Sequence, residues 1–145
     1  MDVKIIDKPL RLEIYGFSGI AVSKNYAGTA FRLSDKMWKA VKSNGLKNKG
    51  LNIWVYEPGE NVFAGVELDE IPKPETGLEQ KIIQLEKYAY YKHTGPYSLL
   101  KQAGQNMTSE LKQNGFQTSL PYLEIYGHWT PDESKLETEL LMQLQ

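Results

Sequence analysis

PYLEIYGHWTPDESKLETELLMQLQ, residues 121–145, reads as two strands joined by a polar loop that contains proline. Tyr122 to Tyr126 alternates Tyr-Leu-Glu-Ile-Tyr. From about Leu136 to Leu144, Leu136, Thr138, Leu140, Met142 and Leu144 share one face, and Glu137, Glu139, Leu141 and Gln143 share the other. One apolar face is what any half-buried strand needs. The carboxylates of Glu124 and Glu139, with Tyr122 and Tyr126 alongside, pose a sharper question. They either face water, as on the wet side of an antiparallel sheet, or line a ligand site, and alternation alone fits both.

The same grammar occurs upstream. Leu10 to Val22 is rich in apolar and aromatic residues, with Gly16 and Gly19 as bends. Tyr26-Ala27-Gly28-Thr29 predicts a turn with Thr29 as a cap. A helix follows from about Ala30 to Ser43, where Phe31, Leu33, Met37, Trp38 and Val41 recur near the helical period. Asn44-Gly45 ends it. Leu51–Tyr56 and Asn61–Leu68 then alternate as strands around Glu57-Pro58-Gly59-Glu60. Asp69 to Gly77 is a linker. Beyond it come a strand-like run from Lys81 to His93, a Thr94-Gly95-Pro96-Tyr97 turn, and a helix over Ser98–Gln113 stopped by Asn114-Gly115.

Register makes the repetition explicit. Asn114-Gly115 lies 70 positions after Asn44-Gly45, and at that offset Met37 meets Met107, Val41 meets Leu111, Ile53 meets Leu123 and Tyr56 meets Tyr126. At an offset of 72, Val66-Glu67-Leu68 meets Thr138-Glu139-Leu140. The expectation is one α+β domain over residues 1–145, a tandem βαββ repeat with halves at about 10–68 and 80–144. Pseudo-two-fold symmetry then gives an antiparallel sheet with two helices on one side and a ligand cleft on the other. Leu51, Ile53, Val55, Leu123 and Ile125 are expected under the helices. Trp54, Tyr56, Phe63 and Glu67, with Tyr122, Glu124, Tyr126, Glu137 and Glu139, are expected on the cleft side. A lipophilic cation is stabilised by ring faces and by a partly dry carboxylate, so that face suits such a ligand.

Composition narrows the remaining classes. Cysteine is absent, which removes disulfides, zinc–thiolate sites and thiol nucleophiles. The two histidines, His93 and His128, are too few for a histidine-only metal cluster, and no cofactor motif occurs. A net charge of −1 with mixed signs gives no footprint for direct nucleic-acid binding. Neither a signal peptide nor a membrane span is legible, so a cytoplasmic protein is expected. Gly16-Phe17-Ser18-Gly19 lacks the spacing of a nucleophile elbow. Glu124 and Glu139 as an acid/base pair remain open, but no nucleophile, metal motif or phosphate loop accompanies them, and the expectation is a non-enzyme.

The same residues resemble a known family. Tyr88-Ala89-Tyr90-Tyr91-Lys92-His93-Thr94-Gly95-Pro96-Tyr97, Tyr122-Leu123-Glu124-Ile125-Tyr126 and Leu136-Glu137-Thr138-Glu139-Leu140 look like GyrI-like (gyrase-inhibitor-like) domains, as do Trp38 and Phe63-Ala64-Gly65-Val66-Glu67. Such domains also serve as effector-binding domains of AraC- and MerR-type multidrug-responsive regulators. The resemblance covers nearly the whole chain. It implies a cleft for hydrophobic cationic compounds, with the family's acidic residue falling on Glu139, and Glu124 and Tyr126 beside it. Trp54, Tyr56, Phe63 and Tyr91 are then expected as walls, with Trp38 reaching in from the helix layer. The strand that carries Glu139 ends Leu-Leu-Met-Gln-Leu-Gln where the family usually has Ile-x-x-Pro-Val. Stand-alone binding of a small molecule is the first reading. Modulation of DNA gyrase or of a separate transcription regulator is the alternative, with hydrolysis of reactive toxins behind both.

Overall fold

Ala30, Leu33, Ser34, Met37 and Val41 fall on one stripe of a helix, α1 (Tyr26–Ser43), and all are buried. Leu100, Ala103, Met107 and Leu111 form the matching stripe of α2 (Leu100–Gln113). Both helices stop as their Asn-Gly pairs predict. The Asn44 and Asn114 side chains donate back to the carbonyls of Ala40 and Glu110 at 2.7 and 2.8 Å. Gly45 and Gly115 then take φ of +59° and +83°, the left-handed region that favours glycine after a helix. The helix starts differ from expectation. Asn25, not Thr29, caps α1, accepting the Gly28 N–H at 3.2 Å, so the helix begins a turn earlier. A 3-10 turn at Tyr97–Leu99 precedes α2.

The protein is described here by a computed structural model covering residues 1–145. Its eight strands are β1 (Lys4–Ile6), β2 (Leu10–Ile20), β3 (Ile53–Glu57), β4 (Asn61–Val66), β5 (Glu79–Leu85), β6 (Tyr88–Thr94), β7 (Thr118–Tyr126) and β8 (Glu137–Leu144). They form one antiparallel sheet in the order β1-β6-β8-β7-β3-β4-β2-β5. Outward from the central β3–β7 seam, the first half supplies β3, β4 and β2, and the second supplies β7, β8 and β6. Each outer edge is completed by the other half: β5 pairs with β2, and β1 with β6. The expected single strand over 81–93 is therefore two strands, and the polar start holds β1. Gly16 marks the place where β2 passes between β4 and β5. A Cβ there would sit 1.8 Å from the Ala64 carbonyl oxygen, so the strands approach too closely for any side chain.

The fold is α+β with both helices on one side, as expected. The faces differ from expectation: Trp54, Tyr56 and Tyr126, expected on a cleft away from the helices, lie on the helix side, whereas Phe63 shares the opposite face with Ile53 and Val55. α1 packs on Trp54, Val62, Ala64 and Val66, with Tyr56 and Tyr126 at the margin. α2 packs on Ala89, Leu140, Met142 and Leu144. The apolar stripe of Ile53, Val55, Phe63, Leu123 and Leu141 faces away from both helices and clusters with Ile14, Ile83 and Leu85 of the β2–β5 edge. No helix covers that face; the sheet closes over it with its own edge strands. Alternation separates two faces but does not say which one a helix covers, and here both have cover.

Candidate functional site

β3 and β7 run antiparallel with Trp54 opposite Glu124 and Tyr56 opposite Tyr122. Because side chains alternate, these four and Tyr126 project from one face of the seam, between the two helices. α1 and α2 each cover their own half and leave the seam open. The result is a cavity of about 1220 Å³, larger than most small-ligand pockets and open on one side. Trp54, Tyr56, Tyr122, Glu124 and Tyr126 form its floor. Tyr26 and Phe31 line it from the α1 side, and Tyr97, Leu100 and Gly104 from the α2 side.

Glu124 is the cavity's buried acid, 9% exposed. Three phenols converge on its carboxylate: Tyr56 and Tyr126 donate to Oε1 at 3.0 and 2.9 Å, and Tyr122 donates to Oε2 at 3.0 Å. A carboxylate has about four lone-pair sites, so one on Oε2 remains. No lysine, arginine or histidine pairs with it. Burial first, then the negative charge of Glu124, pushes all three phenol pKa values well above the ordinary tyrosine range. They remain donors. The rings form two aromatic groups, one on each side of the Glu124 carboxylate. Tyr56 stacks on Tyr122 at 5.7 Å, Trp54 tilts against Tyr126 at 4.7 Å, and Phe31 and Tyr97 meet Trp54 and Tyr126 edge-on at 5.1 and 5.5 Å.

Of the residues expected from the sequence, Glu124, Tyr126, Trp54 and Tyr56 meet in this cavity. Glu139 does not. It shares a face with Leu141, on the far side of the sheet, where the Tyr90 hydroxyl donates to its Oε2 at 2.5 Å. Phe63 packs on that same far side. The reason is register: Glu139 lies opposite Ile125, one residue out of phase with Glu124, and a one-residue step in a strand changes face. Tyr91 supports the α2 core, and Trp38 turns its indole N–H onto Asn52 Oδ1 instead of entering the cavity. Tyr122, Tyr26, Phe31, Tyr97 and Asn52 belong to the lining without having been singled out as ligand residues. Tyr122 was legible as the residue two before Glu124. The helix residues carried no such signal, because their place depends on how each helix flanks the seam.

Comparisons with known proteins agree with this architecture. The GyrI-like small molecule binding domain family matches residues 1–145. Among solved structures, the chain is similar to the EcmrR C-terminal domain, at 16% identity with a TM-score of 0.78, covering 99% of this chain and 97% of that one. It is also similar to EcmrR in an EcmrR–DNA complex (16% identity, TM-score 0.68), where it spans 99% of this chain and 56% of that one. SAV2435 bound to tetraphenylphosphonium is similar at 18% identity and a TM-score of 0.63, covering 100% of this chain and 94% of that one. No curated protein matches the sequence. At these identities the structural likeness carries the fold.

Proposed function

The chain belongs to the family of GyrI-like small molecule binding domains, and we propose that its own ligands are hydrophobic organic cations held at Glu124. One observation carries this reading: a buried carboxylate, solvated only by three tyrosine hydroxyls, stands in an aromatic cavity with no basic partner. Burying an unpaired charge is costly, and an incoming cation relieves that cost. Aromatic faces add roughly 0.5–2 kcal/mol of cation–π attraction. Volume and openness suit a multi-ring ligand. SAV2435, a structural neighbour, is bound to one such cation, tetraphenylphosphonium. Glu124, not Glu139, supplies the countercharge.

Isothermal titration with tetraphenylphosphonium and with neutral triphenylmethanol tests the reading. Glu124→Gln weakens the cation at least about tenfold, equivalent to about 1.4 kcal/mol, and barely changes the neutral compound. Equal losses for both ligands remove Glu124 from the electrostatics. Modulation of DNA gyrase or of a separate transcription regulator is the second reading. It draws on Trp129 at the cavity mouth, 72% exposed, and Phe31, 60% exposed, which offer a partner an apolar rim beside the ligand. Partner binding that responds to tetraphenylphosphonium in the native chain, and not in Trp129→Ser, supports it.

A further inference from the structure

Asn52 immediately precedes β3, and its backbone carbonyl accepts the Tyr126 N–H at 2.9 Å, which ties it to the seam. Its side-chain Oδ1 accepts two hydrogen bonds from consecutive turns of α1, from Ser34 Oγ at 3.1 Å and from Trp38 Nε1. An indole nitrogen only donates, so the atom that faces it must be the amide oxygen, and the orientation of the Asn52 amide follows. Asn52 lines the cavity, whereas Ser34 and Trp38 do not. With its oxygen held by α1, the amide keeps an Nδ2 that donates to no protein group, on a residue that borders the cavity. Two α1 side chains thus hold a primary amide at the cavity lining with its donor end unpaired.

Register sets where that donor stands relative to Glu124. Trp54 is opposite Glu124, and Asn52 is two residues before Trp54, so Asn52 and Glu124 are diagonal neighbours across the seam. Diagonal neighbours on one face lie about 7–8 Å apart, their Cβ atoms somewhat closer. An acid at one corner and a fixed amide donor at the other describe a ligand with two features.

We propose that Asn52 Nδ2 is a second recognition group, donating to a carbonyl or ether oxygen on a ligand whose cationic nitrogen sits at Glu124. This inference rests on the cation site proposed above and narrows its ligand class. The preferred ligands are aryl cations that carry a hydrogen-bond acceptor several bonds from the charge, and lipophilic cations without one bind less well. Trp38 and Ser34 are positioning residues, since they touch the amide and not the ligand.

Two probes of matched shape separate the features: (4-benzoylbenzyl)trimethylammonium and (4-benzylbenzyl)trimethylammonium, which differ by a carbonyl in place of a methylene. The native chain binds the ketone tighter by about two- to tenfold, the range expected for one net hydrogen bond. Asn52→Asp keeps an oxygen for Ser34 and Trp38 and replaces the donor by a second acceptor. Both cations still bind it, and the ketone preference disappears or reverses. Trp38→Phe, which frees the amide to flip, lowers the preference while leaving the methylene probe's affinity in place. It carries the same test should Asn52→Asp fail to fold. A ketone preference that survives in both variants overturns the inference, as does equal binding of the two probes by the native chain. If both probes bind equally and lose affinity together in Glu124→Gln, only the Asn52 contact falls. If neither probe binds, the cation site falls with it.

Discussion

Tyr56, Tyr122 and Tyr126 hold their protons to higher pH in the folded chain than the ordinary value of 10.0, because burial and the Glu124 charge both disfavour a phenolate. Below about pH 10 folded and unfolded chains are alike protonated, so the full stability is present. Above it the unfolded chain loses protons that the fold retains, and stability falls as pH rises, by up to about 1.4 kcal/mol per pH unit for each tyrosine. Tyr90, raised by burial and by Glu139, acts in the same direction. Urea midpoints are therefore expected to drop steeply from about pH 10, and Tyr122→Phe to make the slope shallower. Midpoints that stay flat to about pH 11 would contradict this account of the site. The two acids give a second comparison. Glu124→Gln lowers tetraphenylphosphonium affinity, whereas Glu139→Gln, on the far side beneath Tyr90, leaves it within about twofold. The aromatic–acidic composition of the cavity floor was legible: alternation put Trp54, Tyr56, Glu124 and Tyr126 on one face, and the family resemblance made that face a cleft. Which acid enters the cavity was not, since Glu124 and Glu139 differ by one step of strand phase that only pairing register resolves.

The helix C-termini and the β3–β4 hairpin were well marked, because Asn-Gly stops and the Pro58-Gly59 turn act locally, whereas the helix starts, β1 and the break between β5 and β6 were not. The relation between layers was not, for a specific reason. Ile53, Val55 and Leu123 look like a stripe meant for a helix, yet the β2–β5 edge covers them, and the helices instead flank the polar, aromatic seam. Long-range closure of a sheet leaves no trace in a local period. α2 carries a testable consequence of flanking a cavity. Gly104 is inside the helix, and a Cβ there would meet only Tyr122 Oη, at an ordinary 3.8 Å. Gly104→Ala is expected to stabilise the protein by about 0.5–1 kcal/mol through helix propensity. Thermal melts should rise by about 2–4 °C with the cavity floor unchanged. A fall would mean that the Tyr122 hydroxyl has no room to keep its hold on Glu124. Gly16→Ala is the opposite case, since its Cβ would overlap the Ala64 carbonyl, and no folded protein is expected.

The two halves are joined more deeply than a tandem repeat requires. Each lends its first strand to the far edge of the other, β1 to β6 and β5 to β2, and they pair directly along β3 and β7. The core away from the helices draws Ile14, Ile53, Val55 and Phe63 from the first half and Ile83, Leu85, Leu123 and Leu141 from the second. Neither half can bury its share alone. The cavity is split in the same way, with Trp54, Tyr56 and Asn52 on one side of the seam and Tyr122, Glu124 and Tyr126 on the other. The covalent link between the halves contributes little of this: residues 69–78 contain only a short 3-10 turn at Pro74–Thr76 and no strand of the sheet. Cutting there, to give fragments 1–72 and 73–145, should leave two pieces that fold only together. Each fragment alone is expected to show no cooperative thermal transition, because it lacks both an edge strand and half of the shared core. An equimolar mixture should recover the native circular dichroism and a melting temperature that rises with concentration, as for any association that folds its partners. Binding of tetraphenylphosphonium should return with the mixture and be absent from either fragment. A fragment that melts cooperatively by itself would show the halves to be independent units, with the swapped edges as ornament; recovery of structure without recovery of binding would place the ligand away from the seam.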